Sequence, residues 1–278
     1  MGRFKALSFA GAVALFGVQA AQAADLLPPP PPIEAPLRGP VDDSGFYIRA
    51  DAGLANVNMY GLRSSFAGTT GAALGVTQET GELGDDGILG LGFGYKFNNW
   101  FRADLTGEYR SGVNYDSTVW YQSGANCAAG GATYCGDAYS GEVKTGLFLA
   151  NGYLDMGTWY GFTPYIGGGV GVAVYQVSSF KDVSLYPLGG FGTAPDHTSA
   201  NFAWALMAGV AYHITPNLLL DVGYRYVNMG DISTGAISCS STCNHETQHF
   251  NMEANDVRVG LRWMMAAPVY AEPVVAKY

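Results

Sequence analysis

Apolar and polar residues alternate along most of the chain from residue 45 onward, and this alternation predicts β-strands. The stretch 89–97 has five apolar side chains at odd positions and glycine or Lys96 at even positions. A period of two places the apolar side chains on one face of a strand. The same alternation predicts six further strands, over 46–54, 101–110, 163–177, 202–214, 218–226 and 256–263. An eighth strand is predicted over 141–155, although its facing is ambiguous around 147–149.

The connections between these strands alternate between long and short. The long ones are 59–86, 111–140, 178–201 and 229–250, and the short ones are 98–99, 156–162 and 215–217. Outer-membrane barrels sort their connections in this way, with short periplasmic turns, long outer loops and both termini in the periplasm. Aromatic residues that would form an interfacial girdle lie near the short turns: Phe97, Trp100, Phe101, Trp159, Tyr160, Phe162 and Tyr165.

Composition indicates whether the apolar face of each strand packs in the core of a soluble protein or contacts lipid. Charged residues make up 13% of the 278, about half the usual share, and the 39 glycines are about twice the usual share. A soluble β-sandwich would carry more lysine and glutamate on its solvent faces, and a mean hydropathy of +0.08 is too low for a bundle of membrane helices. We therefore predict an all-β fold, an eight-stranded antiparallel transmembrane β-barrel with four long extracellular loops and short periplasmic turns.

The segments around the barrel predict export. Residues 1–23 combine a basic start, a short apolar stretch and an Ala-x-Ala end, as in a cleaved secretory signal peptide. A proline-rich tether is predicted over 24–44, the barrel over 45–264 and a tail over 265–278. The predicted location is the outer membrane of a Gram-negative cell.

The inward faces of the predicted strands carry charges of both signs. They form either a selectivity filter for small ions or a paired network that plugs the barrel. Eight strands leave an interior only wide enough for side chains, which favours the plug. These residues are Arg49, Asp51, Lys96, Arg102, Asp104, Glu108, Arg110, Asp221, Arg225, Asp256, Arg258 and Arg262.

The predicted long loops are acidic. Arg63 and Lys181 are their cations, and the whole chain has a net charge of −9. This balance argues against a nucleic-acid ligand, because phosphate recognition needs a basic surface. The acidic loop residues are Glu79, Glu82, Asp85, Asp86, Asp116, Asp137, Asp182, Asp196, Asp231 and Glu246.

Four cysteines in an exported chain predict disulfides. The favoured pairs are Cys127 with Cys135 and Cys239 with Cys243, each within one predicted loop, although the sequence allows three connectivities. Such bonds would stiffen the loops against proteolysis.

One motif suggests metalloprotease chemistry. Residues 245–249 read His-Glu-x-x-His, which binds zinc when both histidines lie on one face of a helix. The flanking residues show no helical stripe and run into a strand. A metal site of Cys239, Cys243, His245 and His249 would need reduced thiols in an oxidising compartment. We therefore predict no catalytic residues, no metal and no cofactor, and a protein that is not an enzyme.

Four short stretches resemble a known family. They are Ala-Asp-Leu-Leu at 24–27, Gly-Phe-Tyr-Ile at 45–48, Thr-Pro-Tyr-Ile-Gly-Gly-Gly at 163–169, and Asn-Asp-Val-Arg-Val-Gly-Leu-Arg-Trp at 255–263. Together they resemble the small alphaproteobacterial outer-membrane β-barrel proteins, also called porin-family or outer-membrane immunogenic proteins, which are similar to the OmpA-type transmembrane barrel. The resemblance implies eight strands, surface-exposed loops and no defined catalytic residues. Many such barrels end at a terminal aromatic residue read by the assembly machinery, a role open here to Trp263 or Tyr278.

These observations predict a barrel that supports envelope integrity and surface contact. Two alternatives stay open, a narrow passive channel for small solutes or ions and an adhesin that acts through the long loops. The expected partners are outer-membrane lipid, lipopolysaccharide and the barrel assembly machinery, with peptidoglycan or a host surface as a further contact.

Overall fold

The computed structural model describes residues 44–65, 76–121, 134–185, 189–239 and 246–265. The predicted signal peptide lies outside these residues, as do the tether except Ser44 and the tail except Met265. No helix in the described part of the chain is long and apolar enough to cross a membrane. The strands are β1 Gly45–Ser64, β2 Val76–Leu83, β3 Asp85–Lys96, β4 Phe101–Tyr121, β5 Cys135–Asp155, β6 Phe162–Ser184, β7 Gly190–Thr193, β8 His197–His213, β9 Leu218–Ser233, β10 Ser238–Cys239 and β11 Gln248–Met264.

Eight of the described strands form a closed antiparallel ring. The order is β1-β3-β4-β5-β6-β8-β9-β11, and β11 pairs again with β1. Tracing the paired residues around the ring from Ile48 leads back to β1 at Asn58, ten residues further along. Such a stagger requires strands that tilt relative to the barrel axis. The predicted eight-stranded antiparallel barrel is confirmed.

The two faces of the strands differ as the alternation predicts. On β1, Tyr47 and Arg49 are buried, whereas Phe46 and Ile48 are exposed on the outside. The structure also settles the facing of β5, because Leu147 is buried and Phe148 is exposed. The barrel thus has an apolar outer surface over this part of its length.

Much of each predicted long loop is instead β-sheet. β4 continues to Tyr121 and β5 begins at Cys135, so the predicted loop 111–140 is largely paired strand. β1, β6, β8, β9 and β11 extend in the same way, and β2, β7 and β10 add further paired residues. The loop predictions for 59–86, 111–140, 178–201 and 229–250 are therefore wrong for much of their length. The strands project beyond the part with the apolar outer surface.

The inward and outward faces exchange character in these projections. On β4, Val113 and Tyr115 are buried while Asn114 and Asp116 face outward and are exposed. We call this region the outer extension, and its residues are 57–64, 76–86, 111–121, 134–144, 175–184, 190–201, 227–239 and 246–253. Its interior is mainly apolar, with a small set of buried acidic and other polar side chains, and its exterior is mainly polar, whereas the rest of the barrel has a charged interior and an apolar exterior.

A β-bulge accompanies this exchange on β4, whereas on β1 the exchange comes before the bulge, because Ala55 and Val57 are already buried and Asn56 and Asn58 are exposed. The register of β4 against β5 shifts between Arg110 and Val113, around Gly112 with a φ of +104°. Arg110 and Val113 both face inward although their positions differ in parity. The extra residue of a bulge has this effect, and the positive φ favours glycine.

Aromatic rings fill the interior of the outer extension. The Tyr115 ring lies 4.9 Å from that of Phe250 and 5.7 Å from that of Phe180. All three residues are at most 1% exposed. These rings therefore pack against one another across the interior of the outer extension.

Candidate functional site: the barrel interior

Inward-facing charged residues fill the interior below the outer extension. Eleven of the twelve residues predicted from the sequence are buried there, on β1, β4, β9 and β11. The twelfth, Lys96, is half-buried at the end of β3. Asp155 on β5 belongs with them and is missed by the sequence prediction, because the facing of β5 was ambiguous. Its parity with Tyr153 and Asn151 is the signal that could have found it.

Arg225 lies at the centre of this group. Its Nη1 and Nη2 donate to the two carboxylate oxygens of Glu108 at 2.7 and 2.6 Å, and its Nε donates to Asp256 at 2.8 Å. Arg258 donates to Glu108 at 2.7 Å, and Arg110 donates to Asp256 at 2.8 Å. Three guanidinium groups therefore share two carboxylates, the kind of charge-assisted contact that is strongest in proteins.

A second set of contacts joins β1 to β4 and β5. Arg49 donates through Nε and Nη2 to the two oxygens of Asp51 at 2.8 and 2.7 Å. Its Nη1 lies 3.1 Å from Asp104, which also accepts from the Tyr47 hydroxyl at 3.1 Å. The Tyr153 hydroxyl accepts from the same Nη1 at 3.1 Å. Polar side chains thus cross-link strands that lie apart in the sequence.

Arg102 occupies the end nearest the short turns. Its Nε donates to Asp155 at 3.1 Å, and its guanidinium carbon lies 3.9 Å from the Tyr153 ring centroid and 4.7 Å from that of Tyr165. Such stacking on aromatic faces suits a guanidinium. The assignment of Tyr165 to the outer girdle is therefore wrong, because odd positions of β6 face inward at this level.

The charges of this interior balance. We call the group the inner network, and it contains six arginines and six carboxylates. A cavity beside Arg49, Asp221 and Arg258 has a volume of about 10 Å³, roughly the space of one water molecule. The members are Arg49, Arg102, Arg110, Arg225, Arg258 and Arg262 with Asp51, Asp104, Glu108, Asp155, Asp221 and Asp256.

The outer surface carries aromatic residues at both ends of its apolar band. Near the short turns, Phe97, Trp100 and Trp159 are exposed, as the predicted girdle requires. At the other end, the Trp204 and Tyr226 rings lie 5.5 Å apart, and the Tyr226 hydroxyl donates to Glu253 at 2.6 Å. Aromatic residues with polar tips favour the membrane interface, so these two levels mark its borders.

Four acidic residues predicted on the loop surface are buried instead. Asp86 lies beside the β4 bulge, where Ser111 donates to it at 2.7 Å. Asp137, Asp182 and Glu246 lie in the outer extension, and the Tyr139 hydroxyl donates to Glu246 at 3.0 Å. The prediction of an exposed acidic surface is wrong for these residues, because their segments are inward-facing strand or lie beside it.

Burial has an electrostatic effect on two of these carboxyl groups. Burial, followed by the neighbouring charges of Asp137 and Glu246, raises the pKa of Asp182 to about 7. Burial also raises the pKa of Glu246 to about 7, against the lowering effect of hydrogen bonds from Ser64 and Tyr139. Both groups lie in the outer extension, and each protonates near neutral pH.

The His-Glu-x-x-His motif takes an extended conformation where it is described. Glu246 is buried and faces the interior, whereas His249 on β11 is half-buried, with Nδ1 3.7 Å from Asp231 on the outside. His245 lies outside the described residues. Among the residues described, no three His, Cys, Asp or Glu side chains are grouped to hold a metal ion.

Two of the four cysteines can be placed. Cys135 and Cys239 are both disulfide-bonded. Cys127 and Cys243 lie outside the described residues, so the pairs Cys127–Cys135 and Cys239–Cys243 stay predictions.

Comparison with known proteins is consistent with this architecture. The family model described as outer membrane protein beta-barrel domain matches residues 10–264. An uncharacterised protein of Brucella suis is 33% identical over 223 residues, 76% of this chain and 77% of its own length. The outer membrane protein PagN of Salmonella typhimurium is 31% identical over 199 residues, 68% of this chain and 76% of its own length. A Rickettsia bellii protein named putative adhesin is 24% identical, covering 80% of this chain and 88% of its own length.

The family model and the relatives therefore agree with the structure, in which a closed ring of strands has an apolar outer band and a charged interior. The chain belongs to the outer-membrane β-barrel protein family.

Proposed function

We propose that the protein is a closed outer-membrane barrel that acts through its exterior, supporting envelope integrity and making contact with surfaces outside the cell. The observation that carries the proposal is the filled interior. The inner network pairs its charges at one level, and apolar side chains pack across the outer extension at the next. A protein with this interior works through the surfaces that it presents rather than through a pore.

The narrow-channel alternative finds less support. A selectivity filter leaves its charged groups free to exchange with passing ions, whereas Arg225, Glu108 and Asp256 bind one another at 2.6–2.8 Å. Conduction requires binding that is weak enough for the ion to leave. Moving an ion past these groups would require breaking buried ion pairs, which is costly.

The outer extension favours contact outside the cell. Its strands end beyond the apolar band, and the sequence segments between those strand ends contain no Asp, Glu, Lys or Arg. Small and polar residues dominate them, a composition common in adaptable recognition surfaces. The four connecting segments are 66–75, 122–133, 186–188 and 240–245.

Adhesion to a host surface is the specific form of contact that one relative favours. The Rickettsia bellii protein that matches 80% of this chain is named a putative adhesin. An uncharged binding surface would recognise its ligand through hydrogen bonds and aromatic contacts, with little dependence on salt.

A deletion strain complemented with variants tests the proposal. We expect wild-type protein to restore bile-salt resistance and attachment to cultured epithelial cells. Replacing 122–133 by a Gly-Ser segment of equal length should reduce attachment and leave bile-salt resistance intact. The matched control replaces Asn98-Asn99 in the turn at the opposite end and should retain both. The purified protein should give no stable channels in planar bilayers; large stable channels, or attachment and resistance that never depend on the protein, would overturn the proposal.

A further inference from the structure

The lipid-facing surface of the barrel contains a concavity of about 900 Å³ across β11, β1, β3, β4 and β5. Its floor is formed by outward positions with very small side chains, Ala50, Ala52 and Gly146. Its walls are large apolar side chains that alternate with the small ones from strand to strand. The wall residues are Leu89, Leu91, Tyr109, Phe148, Val259 and Leu261.

Strand register explains the shape. Ala50 pairs with Leu261 on one side and with Leu91 on the other, so a methyl group lies between two isobutyl groups. One level further out, Tyr109 pairs with Gly146. A Cβ atom built on Gly146 would meet no heavy atom nearer than 3.8 Å, so space is open above that glycine. The result is a furrow with fixed apolar walls.

The furrow lies in the outer half of the apolar band. Leu89 and Tyr109 are the last large apolar residues that face outward before Gly87 on β3 and Ser111 on β4. Lys144 faces outward two residues beyond Gly146, about 7 Å further along the strand. Its Nζ is 3.2 Å from Glu142 and its side chain is 41% exposed. The outer end of the furrow therefore holds a Lys144–Glu142 ion pair whose lysine is partly exposed.

This arrangement matches an amphiphile with a hydrocarbon chain and an anionic head. Hydrocarbon surrounds the band, and an apolar concavity does not hold ordered water. The outer half of the band contacts the outer leaflet. We propose that the furrow binds one acyl chain of a phosphorylated outer-leaflet glycolipid, lipid A, whose phosphate lies against Lys144.

Native mass spectrometry of the full chain in dodecyl maltoside tests this site. The protein is mixed with equal amounts of hexa-acylated lipid A and dimyristoyl phosphatidylglycerol, and retained lipid is measured as collision energy rises. We expect one lipid A to be retained by the wild-type protein. Gly146→Leu should reduce the retained fraction about tenfold, the loss expected when roughly two methylenes of contact are removed.

Gly168→Leu is the matched control. Gly168 is a glycine on the outward face of β6, away from the furrow, and its Cβ would meet nothing nearer than 3.6 Å. The Gly168→Leu variant should retain lipid A as the wild type does. Ala52→Leu fills the same furrow from β1 and serves if Gly146→Leu does not fold, as judged by heat-modifiable mobility. Lys144→Gln should also weaken retention.

Three results would overturn the proposal. The first is equal retention of lipid A by wild type and both filling variants. The second is preferential retention of phosphatidylglycerol. The third is a dimer of the wild-type protein that the filling variants abolish, because a second copy would then occupy the furrow. Unchanged retention in Lys144→Gln would overturn the placement of the phosphate.

Discussion

Arg225 shows how much the interior depends on single residues. The side chain is 1% exposed and binds two carboxylates that are themselves buried, Glu108 and Asp256. Removing the guanidinium would leave both carboxylates with less compensation in a region that water barely reaches. Buried ion pairs add little net stability over apolar packing, but breaking one is strongly destabilising.

We therefore expect Arg225→Ala to lower the free energy of unfolding by about 3–5 kcal/mol. The control is Arg63→Ala, because Arg63 pairs with Asp231 at 2.7 Å with side chains 51% and 40% exposed. An exposed pair contributes under ~1 kcal/mol. Urea titration in lipid vesicles, followed by tryptophan fluorescence, measures both values. Equal effects from the two substitutions would mean that the inner network is not a stabilising element.

Parity alone explains which interior residues the sequence could predict. Arg49 and Asp51 alternate with apolar neighbours, so their facing is evident from the sequence. Asp155 escaped because Leu147, Phe148 and Leu149 are apolar on both faces of β5, and periodicity cannot orient such a run. The sequence places Tyr165 in the outer girdle because it lies near a turn, whereas its odd position on β6 directs the side chain inward.

At the level of strands, the sequence predicts the ring and mispredicts where its members end. An alternating pattern predicts a strand only where apolar residues keep one continuous parity. The bulge at Gly112 shifts that parity on β4, and beyond it the apolar face turns inward. On β1 the change comes before the bulge at Gly61, because polar Asn56 and Asn58 take the outward positions and Ala55 and Val57 the inward ones. Acidic residues such as Asp116 then face water and resemble loop residues in the sequence. A bulge leaves only a glycine as its sequence signal, and glycine is abundant in this chain.

Three acidic residues, Asp137, Asp182 and Glu246, lie together in the outer extension. Asp137 is near the start of β5, Asp182 is near the end of β6, and Glu246 lies just before β11. Hydroxyl and amide donors face them from Ser64, Tyr139 and Ser184, with Gln248 donating to Glu246 at 2.7 Å. Lys181 and Arg63 are exposed and lie on the outer face. Among the described residues no cation faces the cluster, so protonation is its available means of neutralisation.

The outer extension should therefore lose stability as pH rises. The pKa of Asp182 and of Glu246 is about 7 in the folded chain, against 3.8 and 4.5 ordinarily. Between about pH 4 and pH 7 the unfolded chain has released these protons and the folded chain retains them, so unfolding becomes easier as pH rises. The protection factors of the amides at the ends of β5 and β6, which are corrected for the intrinsic pH dependence of exchange, should be higher at pH 5 than at pH 8.

Asp182→Asn provides the comparison for that pH effect. The amide keeps the shape of the side chain and removes one of the titrating groups. The protection factors in the variant should depend less on pH, and at pH 8 they should be closer to those of the wild type at acidic pH. Protection factors that fall or stay constant on acidification of the wild-type protein would contradict the assignment.

The molecule as a whole is one barrel in two environments. Below the outer extension, lipid covers an apolar exterior and the interior holds the inner network. In the outer extension, water covers a mainly polar exterior, and the interior holds aromatic and aliphatic side chains with a few buried polar ones. Each part satisfies the requirement that apolar surface avoids water, although the two parts do so on opposite faces. Glycine-rich inward faces and scarce charge are consequences of the lower part.

The border between these parts can be located with one substitution at two positions of β4. Leu105 faces lipid and is 66% exposed on the barrel surface, whereas Asn114 faces outward from the outer extension. Leu105→Arg should lower the free energy of unfolding in lipid vesicles by about 2–4 kcal/mol, because a cation near the middle of the bilayer is poorly solvated. Asn114→Arg should change it by less than about 1 kcal/mol, because the side chain stays in water. A cost at Asn114 equal to that at Leu105 would place the membrane border above the bulge and would make the outer extension part of the transmembrane barrel.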